Sequence, residues 1–157
     1  MKRKLICWLA PLVCLWGCAQ PVDERDFLTR LLEKEGAADS NALILYVAQG
    51  MCAECINREL ILLNEHNDIA QNTIIVGNFT NKRHFLSSVS SAKVKRKIFV
   101  PTDEMPEVEL AAPLQPHYIL YVAANGTFGP PYYPGDCSGE RTAAYYRNLR
   151  PVLPATE

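Results

Sequence analysis

Two kinds of apolar pattern alternate along the chain, continuous runs of strand length and stretches with helical spacing. Continuous apolar runs at 42–48, 73–76 and 117–123 are typical of strands buried on both faces of a sheet. Apolar residues three and four positions apart predict helices around these runs, over 26–35, 52–65, 82–92 and from 138 to about 149. Buried strands that alternate with helices predict an α/β fold.

Helix ends and turns are marked by residues with special backbone preferences. Gly36 is placed to end the first helix as a C-cap, and Ser138 to begin the last helix as an N-cap. Asn125 and Gly126 form the strongest hairpin signal, because both turn positions tolerate a positive φ. The strand before this turn and a return strand at 127–128 must therefore pair antiparallel.

The segment between the third predicted helix and the strand at 117–123 has weaker signals. The basic run at 93–97 is interpreted as a solvated loop or helix end. Residues 98–100 predict a short extra strand that Pro101 ends. The stretch at 102–115 contains prolines without a clear period and is interpreted as a loop.

The first residues have the layout of a signal peptide. A charged start at Met1–Lys4 precedes an apolar stretch at 5–16, which is too short for a membrane-spanning helix. The end of this stretch resembles the lipobox of bacterial lipoproteins, with Leu15 three places before Cys18 and the small Gly17 directly before it. The resemblance implies cleavage before Cys18 and attachment of lipid to its sulfur. An uncleaved anchor or a plain secretory signal is the alternative.

The chain then divides into a signal peptide at 1–17, a lipidated cysteine and tether at 18–25, and one domain at 26–157. We expect the domain in the bacterial cell envelope, attached to a membrane through Cys18 and facing the periplasm or the exterior. Such a compartment permits disulfides.

Composition and charge narrow the possible partners. Hydrophobic residues make up 48% of the chain and charged residues 21%, values typical of a globular domain rather than a disordered or fibrous one. The formal net charge is −1, and because residues 1–17 carry basic side chains and no acid, the rest of the chain is more negative still. Nucleic acid is therefore not an expected partner, since phosphate binding needs a basic stripe.

Three cysteines remain outside the signal peptide and the lipidated position, Cys52, Cys55 and Cys137. Cys52 and Cys55 follow a buried strand and open a helix, where unpaired N–H groups and the helix dipole lower the pKa of a thiol. Cys52 should be exposed and act as the nucleophile, whereas Cys55, one turn further, should be covered and resolve the mixed disulfide. Glu54 between them opposes thiolate formation and makes the pair more reducing.

Two other interpretations of this pair stay open. A purely structural disulfide in a redox-inert module is one, because a fold does not dictate activity. A zinc site is the other, although it needs a fourth ligand and only Cys137 and scattered histidines are available. Haem attachment is excluded, because Ile56 stands where that motif requires histidine.

From about residue 42 to residue 149 the chain resembles the thioredoxin-like superfamily. The resemblance rests on the strand–CxxC–helix unit, the Gln115-Pro116 dipeptide before a strand, and the Asn-Gly hairpin with its closing helix. It implies a thioredoxin fold, with a central mixed sheet of about four to five strands and helices on both faces. The long segment before Pro116 and the lipoprotein start are similar to membrane-tethered TlpA/ResA-type thiol-disulfide oxidoreductases.

The resemblance also implies a substrate-binding surface. Pro116 would follow a cis peptide bond and face the cysteines, and Gln115 would offer its backbone to the bound peptide. Met51 lies where the family usually has tryptophan and belongs to the same surface. The buried acid of the family's central strand is absent from the first predicted strand. Glu54 or Glu59 can substitute, although a solvated helix face is the favoured interpretation of both.

Cys137, His117 and Tyr132–Tyr133 are further candidates at this end of the fold. Cys137 is interpreted as a second resolving thiol, as a disulfide partner of another chain, or as a buried small hydrophobe. His117 either tunes a thiolate or is a half-exposed strand histidine, and the second interpretation is favoured. The tyrosines either hold an extended substrate peptide or pack, and packing is favoured.

We therefore expect an extracytoplasmic thiol-disulfide oxidoreductase that reduces protein disulfides through Cys52 and Cys55 and receives electrons from an upstream donor. No metal, nucleotide or haem cofactor is expected. One alternative is a redox-inert binding module with a structural Cys52–Cys55 disulfide. The other is a thiol peroxidase-like enzyme that uses Cys137.

Overall fold

The computed structural model describes residues 24–104, 115–135 and 139–155, which form a five-stranded mixed sheet with helices packed against it. The strands are β1 (Ala42–Ala48), β2 (Thr73–Phe79), β3 (Arg96–Pro101), β4 (His117–Val122) and β5 (Thr127–Phe128). The helices are α1 (Glu24–Lys34), α2 (Ala53–Glu65), α3 (Asn67–Ala70), α4 (Lys82–Ser88) and α5 (Glu140–Leu149). The predicted α/β class is confirmed.

The sheet order is β3-β2-β1-β4-β5, which puts β1 at the centre. β1 pairs in parallel with β2, and β2 with β3, whereas β4 pairs antiparallel with both β1 and β5. The turn at Asn125 and Gly126 joins β4 to β5, and Gly126 has a φ of 64°. The predicted antiparallel hairpin is therefore confirmed.

β1 suits the centre because its side chains are apolar on both faces of the sheet. Leu43 and Leu45 point to one face and pack with residues of α2, α4 and α5. Ile44 and Tyr46 point to the other face and pack with residues of α1. Helices therefore cover both faces of the sheet, and α2 runs along the first face directly after β1.

α1 ends where the sequence predicts. Gly36 has a φ of 60°, which glycine adopts without steric cost. Its N–H donates to the carbonyl of Glu33 at 3.0 Å, and the N–H of Ala37 donates to the carbonyl of Leu32 at 2.8 Å. These two bonds form a Schellman motif, so the predicted C-cap is confirmed.

The structure differs from the predictions around α4 and β3. α4 ends at Ser88 rather than at 92. Serine competes for backbone hydrogen bonds, so the serine-rich stretch that begins at Ser87 ends the helix after Ser88. β3 already begins at Arg96, so the prediction of a loop over the whole of 93–97 is wrong. Charged side chains suit this strand because it lies at the edge of the sheet.

The helices α3 and α5 also differ from the predictions. The short helix α3, directly after α2, was not predicted. α5 begins at Glu140, and its N-cap is Gly139, which has a φ of 75° and makes no side-chain capping bond. The predicted N-cap, Ser138, lies outside the described residues.

Several predictions fall on residues outside the described ranges. They concern the signal peptide at 1–17, the lipidated Cys18 with its tether up to residue 23, most of the segment at 102–115, and Cys137. The helix α1 begins at Glu24, within the last two residues of the tether predicted at 18–25. Within the ranges that the structure describes, no helix has the length and apolar character to span a membrane.

Candidate functional site

A tight turn carries the chain from the end of β1 into α2. Gly50 has a φ of 92°, a conformation that L side chains rarely adopt. The N–H of Met51 donates to the carbonyl of Ala48 at 3.1 Å, and the N–H of Ala48 contacts the sulfur of Met51 at 3.2 Å. This double contact fixes the turn and places Cys52 at the first turn of α2.

Cys52 and Cys55 form the predicted pair at the start of α2. Their sulfur atoms are within disulfide-bonding distance, and their Cα atoms are 5.2 Å apart, inside the usual range for a disulfide. Cys52 is exposed and Cys55 is half-buried, as predicted. The outer sulfur is therefore open to a second molecule, and the inner one is covered.

The backbone at the start of α2 donates a hydrogen bond to the sulfur of Cys52. Cys52 is the N-cap of the helix, and its Sγ accepts a hydrogen bond from the N–H of Cys55 at 3.2 Å. A helix N-terminus offers unpaired N–H groups and the positive end of the dipole, and both favour a thiolate. Glu54, in the first turn, is exposed, as the interpretation of a solvated helix face expects.

Glu59 occupies a different environment from Glu54. Its side chain is only 1% exposed, so the prediction that it lies on a solvated helix face is wrong. The Tyr118 hydroxyl donates to Oε2 of Glu59 at 3.0 Å. Glu59 lies four positions after Cys55, and residues at this spacing are neighbours on a helix surface. A buried carboxylate therefore lies one turn below the inner cysteine.

The sequence contains one signal for this burial. Glu59 lies three positions after Ile56 and four before Leu63, two apolar residues whose spacing places them on one face of the helix. A residue between them at this spacing shares their face. Ile56 and Leu63 are buried in the structure, and Glu59 lies in line with them.

Two tyrosine hydroxyls extend the contact of Glu59 into the core. The Tyr118 and Tyr146 oxygens are 2.6 Å apart. Because Tyr118 donates its proton to Glu59, its oxygen accepts from Tyr146, and the two hydroxyls form a chain of hydrogen bonds that ends at the carboxylate. Burial, followed by the neighbouring Tyr146 and Glu59, raises the pKa of Tyr118 well above its ordinary value, so this hydroxyl stays a donor.

The buried tyrosines predict a loss of stability in alkali. Burial also raises the pKa of Tyr146, whereas both side chains return to a pKa of about 10 on unfolding. Above that pH the folded state binds more protons than the unfolded state, so the free energy of unfolding falls as the pH rises. We expect about 1.4 kcal/mol per pH unit from each of the two groups.

Urea unfolding at a series of pH values from 8 to 11.5 measures this slope. The Tyr146→Phe variant removes one of the two groups and should lower the slope, whereas Tyr133→Phe, at an exposed position, should not. A free energy of unfolding that stays constant above pH 10 would contradict the prediction.

Gln115 and Pro116 lie at the same edge of the sheet as the cysteine turn. Antiparallel pairing places His117 opposite Tyr46, so the residues before His117 run beside the end of β1. Gln115 is exposed and Pro116 is buried. The peptide bond between them is trans, so the cis bond implied by the family resemblance is wrong. Trans is the ordinary form of a bond before proline.

His117 is buried rather than half-exposed, with 1% of its surface accessible, so the favoured interpretation is wrong. Its ring centroid lies 5.1 Å from that of Tyr46 and 5.2 Å from that of Tyr133. These ring contacts account for its burial. Tyr133 itself is 38% exposed and borders the surface at this edge.

Tyr132 packs, as the favoured interpretation expects. Its ring stacks on that of Tyr145 with centroids 4.1 Å apart, and its backbone pairs with that of Tyr118 through two hydrogen bonds. Burial, followed by the neighbouring Tyr132, raises the pKa of Tyr145 to about 12. These contacts attach the segment after β5 to α5.

The described ranges contain no group of three or more His, Cys, Asp or Glu side chains that is arranged to hold a metal ion. A comparison with known protein families, curated proteins and solved structures found no match for this chain.

Proposed function

We propose that this protein is a thiol-disulfide oxidoreductase that acts through Cys52 and Cys55. The proposal rests on one observation, the exposed Cys52 at the N-terminus of α2 within disulfide distance of the half-buried Cys55. An exposed sulfur that accepts a helix N–H bond is suited to nucleophilic attack, and a covered partner one turn away is suited to resolution.

The sheet topology supports the finer description of the fold that we propose, a thioredoxin-like one. A parallel β1-α2-β2 unit precedes an antiparallel β4-β5 pair that α5 follows, and β1 and β4 are neighbours in the sheet. The CxxC motif lies between the central strand and the helix after it. This order is compatible with a thioredoxin-like fold that carries β3 as an additional edge strand.

The proposed reaction transfers two electrons to a substrate disulfide. The Cys52 thiolate attacks one substrate sulfur, the substrate disulfide breaks, and the second substrate sulfur leaves as a thiolate and takes up a proton. Cys55 then loses its proton and attacks Sγ of Cys52, and the first substrate sulfur leaves as a thiol. The products are a reduced substrate and the Cys52–Cys55 disulfide. A dithiol donor returns the pair to the reduced state.

Glu59 is the proton acceptor that we assign to the second attack. It is the buried carboxylate one helical turn from Cys55, and it accepts a hydrogen bond from Tyr118, whose hydroxyl contacts that of Tyr146. The buried acid that the family has in its central strand is absent from β1, and Glu59 supplies a carboxylate from α2 instead. Glu59 accepts a proton from Cys55 only. Cys52 needs no such acceptor, because it is exposed to water, which can take up its proton.

The proposed setting is the bacterial cell envelope, with the domain attached to a membrane through a lipid on Cys18. The signal-peptide and lipobox pattern of the first residues supports this setting. The substrates would then be protein thiols and disulfides outside the cytoplasm, where disulfides persist.

A redox titration of the full chain in detergent tests the function. The chain is equilibrated in thiol–disulfide buffers, its thiols are alkylated, and mass spectrometry reads Cys52 and Cys55 separately from the other cysteines. We expect a two-electron couple between about −120 and −270 mV, the range of working oxidoreductases. A potential below about −300 mV indicates a structural disulfide instead and would support the redox-inert binding module.

A further inference from the structure

A cleft of about 190 Å³ opens at the turn that leads into α2, where Cys52 lies. One wall is the turn after β1 and the start of α2, with Met51 and Ala53, the two residues that flank Cys52 in the chain. Cys52 does not itself line the cleft, but consecutive Cα atoms are 3.8 Å apart, so this wall begins one residue from Cys52 along the chain. The other wall comes from the end of β2 and from α4, with Phe79 and His84.

The volume and lining of the cleft fit one side chain. Sites for drug-sized ligands start at about 300 Å³, so this cleft is too small for a large cofactor. Ala48, Met51, Ala53, Ile56 and Phe79 give it a mainly apolar lining. An aliphatic or aromatic side chain would lose contact with water there and bind through the hydrophobic effect.

The polar groups of the cleft are suited to donating hydrogen bonds. Oε1 of Gln49 accepts from the N–H of Thr80 at 2.9 Å and from its hydroxyl at 2.7 Å. A backbone N–H can only donate, so the Gln49 oxygen must be the acceptor, and the amide N–H groups remain for a ligand. His84 can also donate through its ring.

The α4 wall of the cleft is positively charged. Lys82 and Arg83 are exposed directly before His84, and the sequence from Phe79 to Ser88 contains no acid. None of the lining side chains in the described ranges carries a carboxylate. An occupant with an acceptor or a negative charge beside its apolar group therefore complements this wall.

We propose that the cleft is a specificity site for the substrate polypeptide. It binds one apolar side chain within two residues of the cysteine that Cys52 attacks, and it favours an acidic over a basic neighbour of that side chain. An extended chain advances about 3.3 to 3.6 Å per residue, which matches a cleft that begins one residue from Cys52. This inference rests on the proposed thiol–disulfide exchange and specifies its substrates.

Cysteine peptides activated as mixed disulfides with pyridine-2-thiol test the inference. The Cys52 thiolate of the full-chain Cys55→Ser variant attacks the peptide sulfur, a Cys52–peptide disulfide forms, and pyridine-2-thiolate leaves and is measured by its absorbance. The peptides carry Leu or Ser at each of the four positions within two residues of the cysteine, with Asp or Lys beside it. Mass spectrometry confirms that the adduct is on Cys52.

At one of the four positions, we expect the peptide with Leu to react at least about tenfold faster than the peptide with Ser. The peptide with Asp beside that Leu should react about twofold to fivefold faster than the peptide with Lys there at low ionic strength. Salt should reduce this difference in rate. Every rate is divided by the rate with 2,2′-dithiodipyridine, a small reagent that has no peptide to dock.

Two matched pairs of variants locate the effect in the cleft. Ser88 lines the cleft and Ser87 is exposed outside its lining, so Ser88→Phe should abolish the Leu preference and Ser87→Phe should retain it. His84→Glu should weaken the preference for Asp over Lys, whereas Ser87→Glu, which adds the same charge outside the lining, should weaken it less. If Ser88→Phe does not fold, the His84→Glu comparison decides.

The outcomes separate the inference from the proposed function. If Cys52 reacts with the small reagent while the Leu and Ser peptides react at equal rates at all four positions, this result overturns the inference and leaves the proposed function standing. A Leu preference that survives Ser88→Phe, or an Asp preference that His84→Glu leaves unchanged, also overturns it. A Cys52 that reacts with neither reagent overturns both.

Discussion

The Cys55→Ser variant is expected to lose turnover by about 10³-fold or more and to hold substrate proteins on Cys52 as stable mixed disulfides. Cys52 is exposed at the N-terminus of α2, so it can still attack a substrate disulfide. Without the Cys55 sulfur, no second thiol remains in the described ranges to displace the substrate. Non-reducing gels and mass spectrometry measure the adducts.

The Cys52→Ser variant is the matched control. It removes the exposed sulfur and keeps the half-buried Cys55, which a folded protein substrate reaches poorly. We expect loss of turnover in this variant as well, but no accumulation of adducts. Equal adduct yields in the two variants, or no adduct in either, would contradict the roles assigned to the two sulfurs.

The strands and the cysteine helix were predictable because their signals are local. The predicted strand at 42–48 matches β1 at both ends, since polar Asn41 precedes the apolar run and a turn follows it. The exposure of Cys52 and the cover over Cys55 followed from their positions at the start of a helix and one turn into it.

The errors concern contacts between distant parts of the chain. Glu59 is buried because Tyr118, 59 positions away, supplies a hydroxyl donor. His117 is buried because the rings of Tyr46 and Tyr133 lie within about 5 Å of it. A single sequence gives the face of a helix or strand on which a residue lies, but not the polar partners that make its burial tolerable.

The cleft beside Cys52 is a third feature that local patterns do not contain. Its walls come from residues near 50 and near 84, which meet only because β1 and β2 are neighbours in the sheet. The donor groups of Gln49 are oriented by Thr80, the residue that directly follows β2. The site that we propose for the substrate therefore depends on tertiary structure, whereas the cysteine pair depends on one helix.

Burial of Glu59 calls for a functional explanation more than for a structural one. A buried carboxylate is costly even when it is hydrogen-bonded, and apolar side chains of similar volume often replace such groups without loss of stability. The residue lies one turn from the cysteine that must lose a proton during resolution. Its position therefore fits a proton acceptor for Cys55.

The Glu59→Gln variant is expected to slow the attack of Cys55 on the mixed disulfide by about 10²-fold, the usual size of a general-base contribution. Glutamine has a similar size, and its amide oxygen can accept the hydrogen bond from Tyr118, but it cannot take up a proton at neutral pH. Single-turnover reactions quenched with acid and alkylated measure the mixed disulfide and the Cys52–Cys55 disulfide separately. The first attack, by exposed Cys52, should change much less.

Two comparisons distinguish a proton acceptor from a merely structural residue. Glu54→Gln removes a carboxylate from the same helix at an exposed position and should leave the resolution step near the wild-type rate. The defect of Glu59→Gln should shrink as the pH rises above about 8.5, the ordinary pKa of a thiol, because water then removes the Cys55 proton unaided. A defect that is the same at pH 7 and pH 9.5 would exclude proton transfer and leave Glu59 a packing role.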